Sequence, residues 1–352
     1  MTASPSRTSL RSGPESALRL ATACLLAVGC ATGSPTTRVT PKTEPASGPS
    51  AAPSPIAQPS PSATPEVDGL LVFHAETPHG LQVFTMRPDG RNLQQITHVE
   101  GDAVAAEWAP DGSRIAFQVN ANDECSIALV DPDGANLTIL PHDPGICEDQ
   151  PTFTPDGERI VFGGPDPATG NGAIWSMNVD GSDRVKIGVG FGLAFAPRVS
   201  PDGTTVSASG WNLIETEGHY EGFFTMDIDG THPRWVSPNW ANFPEHDWSP
   251  DGDSIVVCDR LAHELGPANI ARLEANGSSV SDPTFLTSYD REDQRALTPS
   301  VSPDGEWIIF RLRENDLFAL YRMRSDGSDL ERMTAPSVFV PGEIDWGPAA
   351  GD

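Results

Sequence analysis

The sequence predicts an all-β chain: a six-bladed β-propeller of four-stranded antiparallel blades, its ring closed by the C-terminal strand joining the N-terminal blade. Three observations predict it. First, a string of one apolar residue, one small residue and Pro-Asp-Gly occurs five times, ending at Gly112, Gly157, Gly203, Gly252 and Gly305. Its Asp-to-Asp steps, from Asp111 through Asp156, Asp202 and Asp251 to Asp304, are 45, 46, 49 and 53 residues, the length of one repeated sheet unit. Second, a long apolar residue followed after two positions by Asp-Gly or Asn-Gly occurs six times. These residues are Met86, Val130, Met177, Met226, Leu273 and Met323. Third, the missing sixth copy of the first string is split between the ends of the folded region. Asp345-Trp346-Gly347-Pro348 is an unfinished copy, and Gly69-Leu70-Leu71-Val72-Phe73 is the strand that should follow it.

The first string is a strand, a tight turn and a second strand. Pro presets φ at the first central turn position, Asp hydrogen-bonds its local backbone at the next, and Gly takes the left-handed conformation that ends the turn. The strands after it run Ile115-Ala116-Phe117, Ile160-Val161-Phe162, Ile255-Val256-Val257 and Ile308-Ile309-Phe310. They do not alternate with polar residues, as expected of sheets covered on both faces. The second string adds another hairpin per repeat, at Asp89-Gly90, Asp133-Gly134, Asp180-Gly181, Asp229-Gly230, Asn276-Gly277 and Asp326-Gly327. Four of the six methionines fall in its one repeat column, which reads as a shared core slot filled by a flexible side chain. Two hairpins per repeat make a four-stranded blade, and face-to-face blades bury one another.

The W-S-P-D-G-x-x-I-x-F unit followed by I-x-x-M-x-x-D-G-S resembles the TolB-like six-bladed propeller, with its WD40-like PD repeat, over residues 67–348. The resemblance implies the fold strongly and the function weakly, because that fold serves binding proteins, enzyme accessory domains and a few lyases. The separate N-terminal domain of periplasmic TolB has no match in this chain, so its role in the Tol assembly is not carried over.

Residues 1–30 read as an export signal. Arg7, Arg11 and Arg19 make a basic start, and Leu20 to Gly29 is an apolar stretch too short to span a bilayer. It ends in Leu26-Ala27-Val28-Gly29-Cys30, which resembles a bacterial lipoprotein box with Cys30 as the lipidated residue. Residues 31–66 are almost entirely Pro, Ser, Thr, Ala and Gly, and read as a disordered tether. The expected location is therefore extracytoplasmic, at the cell surface or in the periplasm, with the membrane reached only through the lipid. In that compartment Cys125 and Cys147, placed at one end of one blade, are expected to form a disulfide, and Cys258 to be a buried thiol.

The formal charge is −27, and about −29 falls on the propeller. This argues against nucleic acid, which needs a basic footprint. About ten of the Asp residues are turn residues by position, so much of the charge is structural. Both turn types fall at one end of the ring, which leaves the variable connections at the other. Long stretches there are Gly163 to Asn171, Ser209 to Tyr220 and Leu261 to Asn269, and His74, His79, His98, His142, His219, His246 and His263 map to that end or its margin. Binding residues tend to sit on such loops.

The sharper signal lies on the inner strands. The residues before the apolar anchors are Glu107, Thr152, Arg198, Asp247, Ser300 and Asp345, and Glu245 and Glu343 stand two positions earlier on their strands, with His246 between Glu245 and Asp247. Facing the channel, Glu107, Arg198, Glu245, His246, Asp247, Glu343 and Asp345 would make an acidic mouth with one guanidinium. Such a mouth suits a basic peptide, or calcium or another divalent cation. The alternative is that these acids bond to loop backbone or pair with Arg198 between blades, since buried charge is normally paired. No G-x-S-x-G, H-E-x-x-H or P-loop occurs. The expected function is a monomeric, non-enzymatic binding module for an envelope protein, peptide or glycan, with no resident cofactor. The alternative is a metal-assisted lyase or hydrolase of an extracellular glycan, with a site drawn from His219, Tyr220, Arg198 and His246.

Overall fold

The computed structural model describes residues 69–142, 146–188, 191–213, 221–238, 245–259, 266–275, 283–337 and 339–348. Cys30, the signal and the tether lie outside the described residues.

Twenty-four strands form six four-stranded sheets. Blade 1 takes β1 (Leu70–Thr77), β2 (Gly80–Met86) and β3 (Gln94–Gln95). Blade 2 is β4 (Asp102–Trp108), β5 (Ile115–Ala121), β6 (Glu124–Val130) and β7 (Thr138–Ile139). Blade 3 is β8 (Asp149–Phe153), β9 (Arg159–Pro165), β10 (Gly172–Asn178) and β11 (Val185–Lys186). Blade 4 is β12 (Phe191–Val199), β13 (Thr205–Leu213), β14 (Glu221–Asp227) and β15 (Arg234–Pro238). Blade 5 is β16 (His246–Trp248), β17 (Ser254–Asp259), β18 (Asn269–Glu274) and β19 (Thr284–Phe285). Blade 6 is β20 (Arg295–Val301), β21 (Trp307–Glu314), β22 (Leu317–Arg324) and β23 (Glu331–Arg332). The last strand, β24 (Gly342–Gly347), returns to blade 1 and pairs antiparallel with β1, with Leu71 opposite Trp346 and Val72 opposite Asp345.

The turns follow from their residues. In each Pro-Asp-Gly copy the Gly amide donates to the carbonyl three residues back, as from Gly112 to Ala109 at 2.8 Å. The Gly φ angles lie between 70° and 75° in all five. The Asp carboxylate accepts the amide two residues on, from Ser113, Glu158, Thr204, Asp253 and Glu306. Bonds from Ser or Thr side chains, then these amides, hold Asp111, Asp156, Asp202 and Asp251 below the usual carboxylate range. The outer hairpins add a second left-handed residue two places after Gly, at Asn92, Asn136, Asp183, His232 and Asp329. Outer strands β3, β7, β11, β19 and β23 are only two residues long, which blunts the sheet edges.

The core is not one mass. It is six clusters, one per junction between blades. Val72 and Val83 meet Trp108, Ile115 and Phe117 across the junction of blades 1 and 2. Leu71, Phe73 and Trp346 meet Trp307, Ile309 and Leu320 across blades 1 and 6. The same pattern joins blades 2 and 3, 3 and 4, 4 and 5, and 5 and 6. The Met column serves these junctions: Met86, Met177, Met226 and Met323 are all buried in them. Because every blade borrows cover from two neighbours, closure by β24 stabilises the whole ring. Gly347 shows how tight that closure is: a Cβ there would collide with the Trp108 ring.

Cutting the chain before Gly342 removes buried Ile344 and Trp346 and uncovers Leu71 and Phe73. We expect a loss of more than about 5 kcal/mol, from the usual cost of deleting two large core side chains. Denaturant unfolding of full and shortened chains measures it, and an unchanged midpoint would rule out closure by β24.

Candidate functional site

Five of the six inner strands carry a bulge; β16 pairs with β17 in unbroken register. The ladder register shifts between Val104 and Glu107, Asp149 and Thr152, Phe195 and Arg198, and Leu297 and Ser300, and likewise where β24 pairs with β1. At the bulge stands a non-glycine residue with positive φ: Ala105 at 52°, Gln150 at 47°, Ala196 at 51°, Thr298 at 53° and Glu343 at 30°. A bulge turns a backbone amide out of its own ladder and re-aims the side chains beside it. Two tiers of bonds between blades result.

The lower tier uses the column of residues before the apolar anchors. Asp345 Oδ2 accepts the Trp108 amide at 2.7 Å, joining blade 1 to blade 2. Glu107 Oε1 accepts the Thr152 hydroxyl at 2.6 Å and the Phe153 amide at 3.3 Å. Asp247 Oδ2 accepts the Ser300 hydroxyl at 3.0 Å and the Val301 amide at 2.8 Å. Ser300 Oγ in turn accepts the Trp346 amide at 2.9 Å. Arg198 reaches Glu107 Oε2 at 2.8 Å and the Pro197 carbonyl at 3.3 Å. The upper tier satisfies the amides that the bulges release. The Ala105 amide goes to His74 Nδ1 at 3.4 Å, Gln150 to Gln118 Oε1 at 3.3 Å, Ala196 to Gln150 Oε1 at 2.8 Å, and Thr298 to Glu245 Oε2 at 2.7 Å. Gln150 Nε2 also donates to Glu343 Oε1 at 3.3 Å.

These tiers surround a small cleft of about 20 Å³. It is lined by Arg198, Glu245, His246, Asp247, Glu343 and Asp345, together with Gln150, Thr298 and their neighbours. Six of the seven residues expected at the channel mouth therefore meet there, and Glu107 joins them through Arg198. The same acids also bond between blades, as the structural alternative in the sequence holds. Burial raises the carboxyls of Glu107, Asp247 and Glu343 above their ordinary values. Burial first, then repulsion from Glu107 and Asp247, pushes Asp345 up to about 8. Asp149 behind them is pushed up to about 7, by burial and then by Glu343. Burial disfavours the Arg198 charge, but the surrounding carboxylates, Glu107 foremost, outweigh it and hold the guanidinium above its ordinary value.

Among the described residues the histidines do not gather. His246 is buried with Nε2 2.9 Å from Ser207 Oγ and its ring edge-on to Phe223. His74 is buried in the upper tier, and burial, then Arg311, lowers it to about 4. His142 lies 3.4 Å from Glu124. His219, Tyr220 and His263 lie outside the described residues. Among the described residues no group of three or more His, Cys, Asp or Glu is placed to hold a metal ion. The stretch expected as a loop from Gly163 is shorter, since β9 runs on to Pro165.

Cys125 and Cys147 are joined by a disulfide, and Cys258 is buried and free. The crosslink anchors the segment that delivers Gln150 to the cleft. The Glu148 amide donates to the Cys125 carbonyl at 3.2 Å, and Arg184 pairs with the buried Glu148 carboxylate and reaches the Pro141 carbonyl. Gly163 gives Asp149 its space, since a Cβ there would collide with Oδ1.

The sequence reading missed the bulge column of Ala105, Gln150, Ala196, Thr298 and Glu343, and with it His74 and Gln118 as acceptors. Left-handed backbone is usually announced by Gly, Asn or Asp, and none occurs there. The available signal was positional: each stands two places before a lower-tier residue.

No protein-family model matches the chain. By sequence it is 25% identical over 187 residues to an uncharacterized protein, Atu1656, of Agrobacterium fabrum, covering 52% of this chain and 57% of that one. It is 25% identical over 201 residues to an uncharacterized peptidase, YuxL, of Bacillus subtilis, covering 47% of this chain and 30% of that protein. The chain thus spans less than two thirds of either relative. Among solved structures, TolB from Acinetobacter baumannii superposes with a TM-score of 0.64 at 20% identity, over 80% of this chain and 67% of that one. The described residues are thus a six-bladed β-propeller, and its fold is TolB-like.

The raised carboxyls set a pH dependence. Folded Asp345 and Asp149 hold protons up to about 8 and 7, whereas unfolded they lose them near the ordinary carboxylate value of 3.8. The folded state binds more protons in that window, so these groups' contribution to stability is lost as pH rises from about 4 to about 8. Asp345→Asn keeps an acceptor for the Trp108 amide and should flatten the decline, matching the parent in acid and exceeding it above pH 8. Asp345→Ala leaves that amide unmet and should cost about 1–3 kcal/mol throughout. Denaturant titrations across pH decide; an Asn variant that tracks the parent at every pH contradicts this account.

Proposed function

We propose that this chain is an exported, lipid-tethered binding module without catalytic activity, whose channel mouth holds a basic peptide segment of an envelope protein. One observation carries it: Glu245, Asp247 and Glu343, joined by Asp345 only as pH rises past about 8, line the cleft around a single guanidinium, Arg198, which Glu107 already engages. A cleft with an excess of one sign of charge raises the local concentration of the opposite sign and steers its approach. The repeat scaffold supplies rigidity, since the same acids are tied to neighbouring blades. The leader-like first thirty residues and the Pro- and Ser-rich stretch after them support export and tethering. The TolB-like fold accords with a binding role. The peptide's identity follows from charge alone at this level.

Binding of a decalysine peptide to the full chain, read by fluorescence anisotropy, tests the reading. Affinity should fall at least about tenfold between low and physiological salt, as screening shortens the reach of the acids. Glu245→Gln with Glu343→Gln keeps both acceptors but removes two charges, and should weaken binding about tenfold, roughly 1.4 kcal/mol. Equal affinity for acidic and basic peptides, or turnover of a glycan that requires a divalent metal, would overturn it.

A further inference from the structure

Thr298 is the least comfortable residue in the cleft. It is 2% exposed, it lines the cleft, and its hydroxyl has no hydrogen-bond partner. It is β-branched at a φ of 53°, a conformation that such residues rarely adopt. Its amide is already spent on Glu245 Oε2. A buried hydroxyl that neither donates nor accepts is unusual enough to need a reason.

The acids beside it are half used. Glu245 commits Oε2 to the Thr298 amide, and Glu343 commits Oε1 to Gln150. Their second oxygens, Glu245 Oε1 and Glu343 Oε2, take no hydrogen bond from any described residue. We propose that Thr298 Oγ1, Glu245 Oε1 and Glu343 Oε2 form a subsite for one primary ammonium group, carried by a lysine side chain or a free alkylamine. The inference rests on the binding reading above and narrows it from basic peptides to a particular cation.

The donor count selects the ammonium. An alkylammonium offers three N–H donors spread around a point charge, which suits single acceptors supplied from separate places in the ring. A guanidinium binds best as a planar fork on both oxygens of one carboxylate, and Glu245 and Glu343 each have only one oxygen left. Arg311 acts on Glu343 through space, and its own Nη1 donates to the Pro341 carbonyl, so it lowers the negative potential without filling the acceptors. A divalent metal is a poorer fit, since the described residues contain no group of three or more suitable ligands placed for one.

The test compares pentalysine with pentaarginine, equal in charge, on the full chain by titration calorimetry, with butylammonium as a competitor. Pentalysine should bind about tenfold more tightly, the fold-change of one charge-assisted hydrogen bond. Thr298→Val keeps the β-branch and the amide bond but lacks the hydroxyl; it should erase the preference by weakening pentalysine about tenfold more than pentaarginine. Thr298→Ser should restore the preference, which separates loss of the hydroxyl from loss of fold. Displacement of pentalysine by butylammonium alone would point to free amines as the source, and displacement only by lysine peptides to a protein partner. Equal binding of both peptides, with Thr298→Val indifferent, sinks the subsite and leaves the broader reading standing. Binding of neither peptide sinks both.

Discussion

The Trp108 amide and the Asp345 carboxylate are 237 residues apart in the chain and 2.7 Å apart in the fold. Everything else depends on what that bond stands for: each blade is a sheet with two apolar faces, and only a closed ring can cover all twelve. A blade on its own would leave Phe73, Phe117, Phe162 or Phe310 in water, and all four are essentially buried in the ring. The six clusters between blades are thus one cooperative structure. The polar centre is what sets the register in which they meet.

That centre explains why a site with excess carboxylate is tolerable. Backbone amides of one blade are held by side chains of the blade before it: the acids take the amides of Trp108, Phe153, Val301 and Thr298, and His74, Gln118 and Gln150 take the other bulge amides. A carboxylate has two oxygens and the staple uses one. Structural duty and ligand binding are therefore compatible in the same side chain, provided the other oxygen faces the cleft. Burial raises the proton affinity of these groups, and Arg198 offsets part of the repulsion among them.

The remaining acidity has a plainer origin. The Asp residues of the tight turns are exposed caps, each accepting an amide two residues on, and they recur because the turn recurs. The strongly negative chain is in large part a record of how many turns a propeller needs. The acids that bear on the proposed binding are the few on the inner strands, where charge is partly withdrawn from water and acts over a longer range.

Local chemistry was legible before any coordinates. Pro-Asp-Gly dictates its turn whatever surrounds it, the Met and Val column dictates a buried slot, and counting the two strings dictates six blades with a shared first sheet. The pairing of β24 with β1 follows from that count, and the structure adds its register, with Asp345 opposite Val72. What the sequence did not disclose is the bulge column. Ala105, Gln150, Ala196, Thr298 and Glu343 have no common chemistry and no intrinsic taste for positive φ; for the first four, the preceding blade offers an acceptor just where the freed amide must go. Whether a carboxylate two or three residues away ends as a staple, a ligand or both depends on neighbours brought in from distant sequence, and only the closed ring decides it.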